Sequence, residues 1–238
     1  MKLDILAFGA HPDDVELSAA GTLLYYAAQG KAIGAVDLTE GELGTRGSVA
    51  ARYEEAEAAA QILGLKVRSN LRMPDGFFEH NQANLLRIIE QIRLYRPAIV
   101  MANALSDRHP DHGRAGRLVA EACFLAGLRK INTEHNGTAQ EPHRPRMVLH
   151  YIQDFQLEPS VVFDVTPFVN QKLACVKAYK TQFFDPNSKE PNTPISGELF
   201  FDFLKGRMQE MGRPAGLDYA EGFVINRRFA VKDLFDLI

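Results

Sequence analysis

At 238 residues the chain is long for one ordinary domain, yet α/β domains of this size are common, and a single domain over 1–238 is expected. Hydrophobic residues at 46% and charged residues at 24% match a globular chain rather than a disordered or membrane-embedded one. A formal charge of -3 and a pI near 6.2 give no general attraction to phosphate backbones, which excludes nucleic acid as the expected partner.

Met1 leads almost directly into the apolar run Ile5-Leu6-Ala7-Phe8, without the basic start and cleavage site of a signal peptide. No stretch resembles a membrane span, so a cytoplasmic address without membrane contact is expected. Apolar runs at 3–9, 33–38, 67–71 and 98–102 predict strands, the last entered through the helix-stopping Pro97. Between them, Ala56, Ala59, Ala60 and Leu63, and again Leu85, Ile88, Ile89 and Ile92, recur at helical spacing. Ala115, Leu118, Val119 and Ala122 repeat it. This alternation predicts βαβ units: a Rossmann-like, mostly parallel sheet with helices on both faces. The second half is less regular. A polar stretch at 132–146 precedes expected strands at 147–152 and 161–165, helices near 167–183 and 197–211, and an exposed loop at 184–194. Cys123 and Cys175 lie in apolar helical patterns far apart and read as buried thiols.

The first strand ends in Gly9-Ala10-His11-Pro12-Asp13-Asp14 and the fourth in Ser106-Asp107-Arg108-His109-Pro110-Asp111-His112, each followed by a helix. Ligand sites of open α/β sheets gather at such carboxyl ends. Together the two ends offer His, Asp and His to one ion, a set that leaves an open coordination position. The blander reading makes Asp13 or Asp14 a helix cap and His109 and His112 solvated loop residues. His80, His135, His143 and His150 read as loop or surface residues. A competing function, a nucleotide-binding module, rests on Asp37 at the end of the second strand as a ribose ligand. The G-x-G-x-x-G fingerprint it needs is absent.

The two strand-end motifs resemble the signature of PIG-L or LmbE-like deacetylases. Resemblance extends to Thr39-Glu40-Gly41-Glu42-Leu43-Gly44-Thr45-Arg46-Gly47, to Arg52 with Glu54-Glu55-Ala56, and to Tyr219-Ala220-Glu221-Gly222-Phe223. The last motif, with Thr193-Pro194-Ile195-Ser196, is similar to the branch serving bacillithiol biosynthesis, whose substrate is N-acetylglucosaminyl L-malate. The resemblance implies a Zn2+ cofactor held by His11, Asp14 and His112, with Asp13 as general base and His109 as second catalytic group. Asp111 is the candidate to orient and charge His109. It also implies Arg52 facing the pocket, a small-molecule N-acetylglucosaminyl conjugate as partner, and a homo-oligomer. Arg46 and Arg108, on loops above the same strand ends, are candidates for the malate carboxylates. A mycothiol-type inositol conjugate and a chitooligosaccharide are the alternative substrates. Ser18 stands where some relatives place a glycine, expected to be without consequence. A tyrosine of the oxyanion site in relatives has no aligned counterpart, leaving Tyr151, Tyr219 or none in that role.

Overall fold

The protein is described by a computed structural model over residues 1–228 and 230–237. Its first half alternates as the apolar periodicity predicts. β1 (Ile5–Gly9), α1 (Asp14–Ala28), β2 (Ile33–Thr39), α2 (Val49–Leu63) and β3 (Val67–Met73) are followed by α3 (Gln82–Tyr95), β4 (Ile99–Ala102) and α4 (Pro110–Leu125). β1 and β2 are buried at every position, because a sheet covered on both faces needs no polar alternation. Ser48 caps α2 by accepting the Ala51 N–H, and Asn81 caps α3 by accepting that of Asn84. α3 stops at Arg96, whose left-handed φ of 49° precedes Pro97, a residue that disfavours helical backbone before it.

The second half adds a two-stranded hairpin, β5 (Glu134–His135) with β6 (Thr138–Ala139), then β7 (Met147–Tyr151) and β8 (Val161–Asp164). α5 (Val169–Lys177), α6 (Phe200–Gly212) and β9 (Ala220–Val224) complete it. Three differences from the sequence reading emerge. The polar stretch hides the hairpin, turned at Asn136-Gly137 with φ of 50° and 74°, a pair suited to tight turns between strands. The helix expected at 167–183 is only α5, entered through a 3-10 turn at Thr166–Phe168. β9 was not foreseen, since Glu221 and Gly222 interrupt its apolar pattern.

One sheet runs in the order β3-β2-β1-β4-β7-β9-β8. The first five strands are parallel, whereas β9 runs antiparallel to both β7 and β8. α3 and α4 bring Ile88, Ile92 and Leu118 to one face; α1 brings Val15, Ala19 and Leu23 to the other. α2, α5 and α6 form a third cluster around Ala59, Val176 and Leu204. Strand order reverses between β1 and β4, so their following loops part there and leave a crevice at the carboxyl edge. Both thiols are buried and free as expected. His150 is not a surface residue: it lies buried on β7, its Nδ1 bonded to the Asn103 carbonyl. Among the described residues no helix is long and apolar enough to cross a membrane.

Candidate metal centre

The strand-end turn after β1 is tight, for a Cβ at Gly9 would lie 2.8 Å from the His11 carbonyl oxygen. Asp13 sits at φ 125°, a conformation costing about 1–3 kcal/mol that persists only where surrounding structure imposes it. Its side chain caps nothing. Asp14 opens α1 and accepts the His11 backbone N–H on Oδ2 at 2.9 Å. On the other side of the crevice His109 does cap α4: its Nδ1 accepts the Asp111 N–H at 3.3 Å, with Pro110 in the first turn. The blander reading therefore fails for Asp13, which caps nothing, and His109 is a helix cap rather than the solvated loop residue that reading made it.

His11, His109 and His112 converge, with ring centroids 4.7 Å (11–109), 5.1 Å (109–112) and 5.7 Å (11–112) apart. Asp14 joins them. Its Oδ2 lies 3.7 Å from His11 Nδ1, and its Oδ1 lies 3.0 Å from His112 Nε2. Each of these two imidazoles is gripped from outside by carboxylates. His11 Nε2 is 2.9 Å from Asp75 Oδ1 and 3.5 Å from Asp111 Oδ2; His112 Nδ1 is 2.6 Å from Asp107 Oδ2. A carboxylate on the far nitrogen fixes the ring and raises its basicity, the arrangement that accompanies metal-bound histidine. Burial alone lowers the His11 pKa, but hydrogen bonds to Asp111 and Asp75 and the charge of Asp14 carry it up to about 10. His112 behaves alike: burial lowers it, Asp14 and Asp107 prevail, and it rises to about 9. Asp14 is held below the usual carboxylate range because His112 and His11 outweigh its burial. This charge-matched set of two imidazoles and a carboxylate fits a divalent cation, and so does the triple His11, His109 and His112, whose ligand atoms all lie within 4.8 Å of one another.

Asp13 stands beside this cluster. Burial pushes its carboxyl up to about 7, against the opposing charge of Arg52. Arg52 is buried, 2.8 Å from the Pro12 carbonyl and 3.4 Å from Asp13 Oδ2. Both border a cavity of about 400 Å³ that reaches from the histidines to an apolar wall on α6, including Phe200, Leu204 and Met208. Arg108 is at its edge, paired with Asp154 at 2.5 Å, and Arg207, which the sequence did not single out, lies nearby with its guanidinium on the Asp154 carbonyl.

Several expected placements are corrected. Arg46 is buried away from the cavity lining, bonded to Ser188 Oγ at 2.6 Å, because its loop folds back on the segment after α5. The Asp111 carboxylate does not hydrogen-bond the His109 ring; it accepts from Gly76 N–H and from Arg114, and its partner imidazole is His11. Tyr151 is fully buried and Tyr219 bonds Gln209, and neither lines the cavity. Ser18 does line it, its hydroxyl without a partner. Asp37 is committed to Arg68 through two hydrogen bonds of 2.8 and 3.0 Å, which leaves no carboxylate free for a ribose. Asp75 is not among the residues singled out from the sequence, and Asp107 figures there only within the strand-end motif, without a role. Aspartates in loops following strands carry no distinguishing local signal; only the fold brings them to the rings.

An open α/β sheet with imidazoles and carboxylates gathered at its switch point defines the class, an α/β protein with a candidate metal site in its ligand crevice. Residues 6–123 match the family model described as PIG-L, GlcNAc-PI de-N-acetylase. A conserved protein from Thermus thermophilus has a solved structure that is 35% identical, with a TM-score of 0.86 over 97% of this chain and 98% of that one. Diacetylchitobiose deacetylase from Thermococcus kodakarensis is 28% identical over 228 residues, 92% of this chain and 81% of the relative. A probable N-acetyl-alpha-D-glucosaminyl L-malate deacetylase 2 from Bacillus anthracis is 29% identical over 196 residues, 75% and 81% respectively. The chain belongs to the PIG-L family, which includes metal-dependent N-deacetylases.

Proposed function

We propose that the protein is a zinc-dependent hydrolase that removes the N-acetyl group from an N-acetylglucosamine conjugate, with His11, Asp14 and His112 as the metal ligands. The carrying observation is that His11 and His112 each have one nitrogen held by a carboxylate and the other turned to Asp14, at one end of a ligand-sized cavity. Zinc bound there would supply Lewis acidity and lower the pKa of a bound water to about 7. Asp13 is the base. Its proton affinity, pushed near neutrality by burial, suits it to take the proton from the attacking water. Arg52 fixes the orientation of that carboxylate. Because His109 Nδ1 accepts a backbone N–H, its neutral ring carries the proton on Nε2, as a donor for the acetyl oxygen or the departing amine. Water adds across the amide, acetate leaves and a free amine remains.

Within this class the malate conjugate follows from the sequence resemblance, with Arg52 and Arg108 as the remaining positional candidates for its carboxylates. An N-acetylated disaccharide is the second reading, supported by a relative that aligns with 92% of the chain. The proposal includes a cytoplasmic address, consistent with two free thiols, and a homo-oligomer. The test incubates purified protein with both substrates and free N-acetylglucosamine, with and without chelator, and measures amine release. Chelator-insensitive turnover, or none on any N-acetylglucosamine compound, overturns the proposal. Zinc content separates the two ligand triples: Asp14→Ala should lose the metal and His109→Ala should keep it.

A further inference from the structure

Two side-chain amides stand behind Asp14. Asn103 follows β4 and is fully buried; Gln153 follows β7 and borders the cavity. Asn103 Nδ2 donates to Asp14 Oδ2 at 2.9 Å and to Gln153 Oε1 at 3.1 Å, while its Oδ1 accepts the Ala10 N–H at 2.9 Å. Gln153 Nε2 donates to Asp14 Oδ1 at 3.1 Å, and its Oε1 also accepts the Ala104 N–H at 3.0 Å. Flipping either amide would set N–H against N–H and carbonyl against carboxylate, so the network permits one orientation of each. Ala10, Asn103 and Gln153 follow three neighbouring strands, β1, β4 and β7. The sheet order thus reaches the carboxylate through two amides.

Counting acceptor sites shows what this does. Asp14 Oδ2 receives two donors, the His11 N–H and Asn103, which use both of its lone pairs. Oδ1 receives Gln153 and keeps one lone pair, on the side where His112 Nε2 lies 3.0 Å away. We infer that Asn103 and Gln153 are positioning residues that brace Asp14, so that a single Oδ1 lone pair faces the His11–His112 cluster, and that this brace sets the affinity of the metal centre. The inference rests on the reading of Asp14 as a ligand. Replacing partners that lie one bond behind a metal ligand typically weakens metal affinity about 10- to 100-fold.

Gln153→Met keeps the length of the side chain and removes both the donor and the acceptor; Gln153→Ala is the second variant should methionine disturb folding. Zinc dissociation constants come from competition with a chromophoric chelator, and the ligand field from the visible absorption of the cobalt-substituted proteins. Either variant should bind zinc about 10- to 100-fold more weakly, shift the cobalt bands, and, when zinc-saturated, lose kcat more than it raises KM. Wild-type zinc affinity in both variants overturns the brace, whatever the cobalt bands do. Asp14→Ala is measured alongside. If it binds zinc as wild type does, the ligand assignment fails and the inference with it; if it loses zinc while both Gln153 variants keep full affinity, the inference alone fails.

Discussion

Lys172→Met probes the clamp that closes the far side of the cavity. Lys172, on α5, places Nζ 2.6 Å from Glu221 Oε1 and 2.7 Å from the Leu17 carbonyl, and both charged side chains are buried. Glu221, on β9, also accepts the Gly21 and Thr22 N–H groups and the Thr22 hydroxyl, tying the antiparallel strand and α5 to α1. Removing the ammonium forfeits a charge-assisted bond worth about 1.5–3 kcal/mol and leaves the buried Glu221 carboxylate short of a donor, roughly 1–3 kcal/mol more. Breaking buried pairs from one side costs about 3–5 kcal/mol, the same range. For a chain of this length each kcal/mol lowers Tm by about 2–4 °C, so the variant should melt roughly 6–20 °C below wild type. Calorimetry of Lys172→Met, Glu221→Leu and the double variant closes a cycle. The double variant should be destabilised by less than the sum of the singles, because it leaves no unpaired charge. Additive losses, or a drop under about 2 °C for Lys172→Met, would refute the clamp.

Asp13→Asn keeps the shape beside the ligands but loses the proton acceptor, so zinc content should stay and turnover fall about 10²–10⁴-fold. Loss of zinc there would show that Asp13, not Asp14, is the ligand. In the metal-free protein the raised pKa values of His11 and His112 contribute stability that is full below the ordinary histidine value of about 6.5 and is lost as pH rises through about 9 and about 10. Zinc takes the place of those protons, so the rise in Tm on adding zinc should grow from pH 6.5 to 9; a constant rise contradicts the assignment. Arg108→Ala should lower kcat/KM for the malate conjugate about tenfold to a hundredfold and spare free N-acetylglucosamine, because only the former offers carboxylates. Equal losses on both would remove Arg108 from substrate recognition.

Much of the fold was legible because what makes an element is local. Ile88, Ile89 and Ile92 must share one face at helical spacing, and a strand buried on both sides, such as β1, must be apolar throughout. Gly9-Ala10-His11-Pro12-Asp13-Asp14 and His109-Pro110-Asp111-His112 were legible for a related reason. Strand ends are where an α/β sheet exposes side chains, and the pairing of β1 with β4 brings the two together. β9 was not legible because Glu221 and Gly222 interrupt its apolar pattern, and the partners that let Glu221 be buried lie on α1 and α5.

The sequence by itself determined which residue types could hold a metal and which strand ends would present them. Only the tertiary structure decided how each ligand is turned. Asp75 reaches His11 across 64 residues and Gln153 reaches Asp14 across 139, distances over which no periodicity or spacing carries information. It likewise sent Arg46 toward Ser188 and away from the cavity, and left Asp111 facing His11 instead of the neighbouring His109. Orientation comes from hydrogen-bond partners that meet when separate loops close on one another, and those meetings are a property of the folded chain.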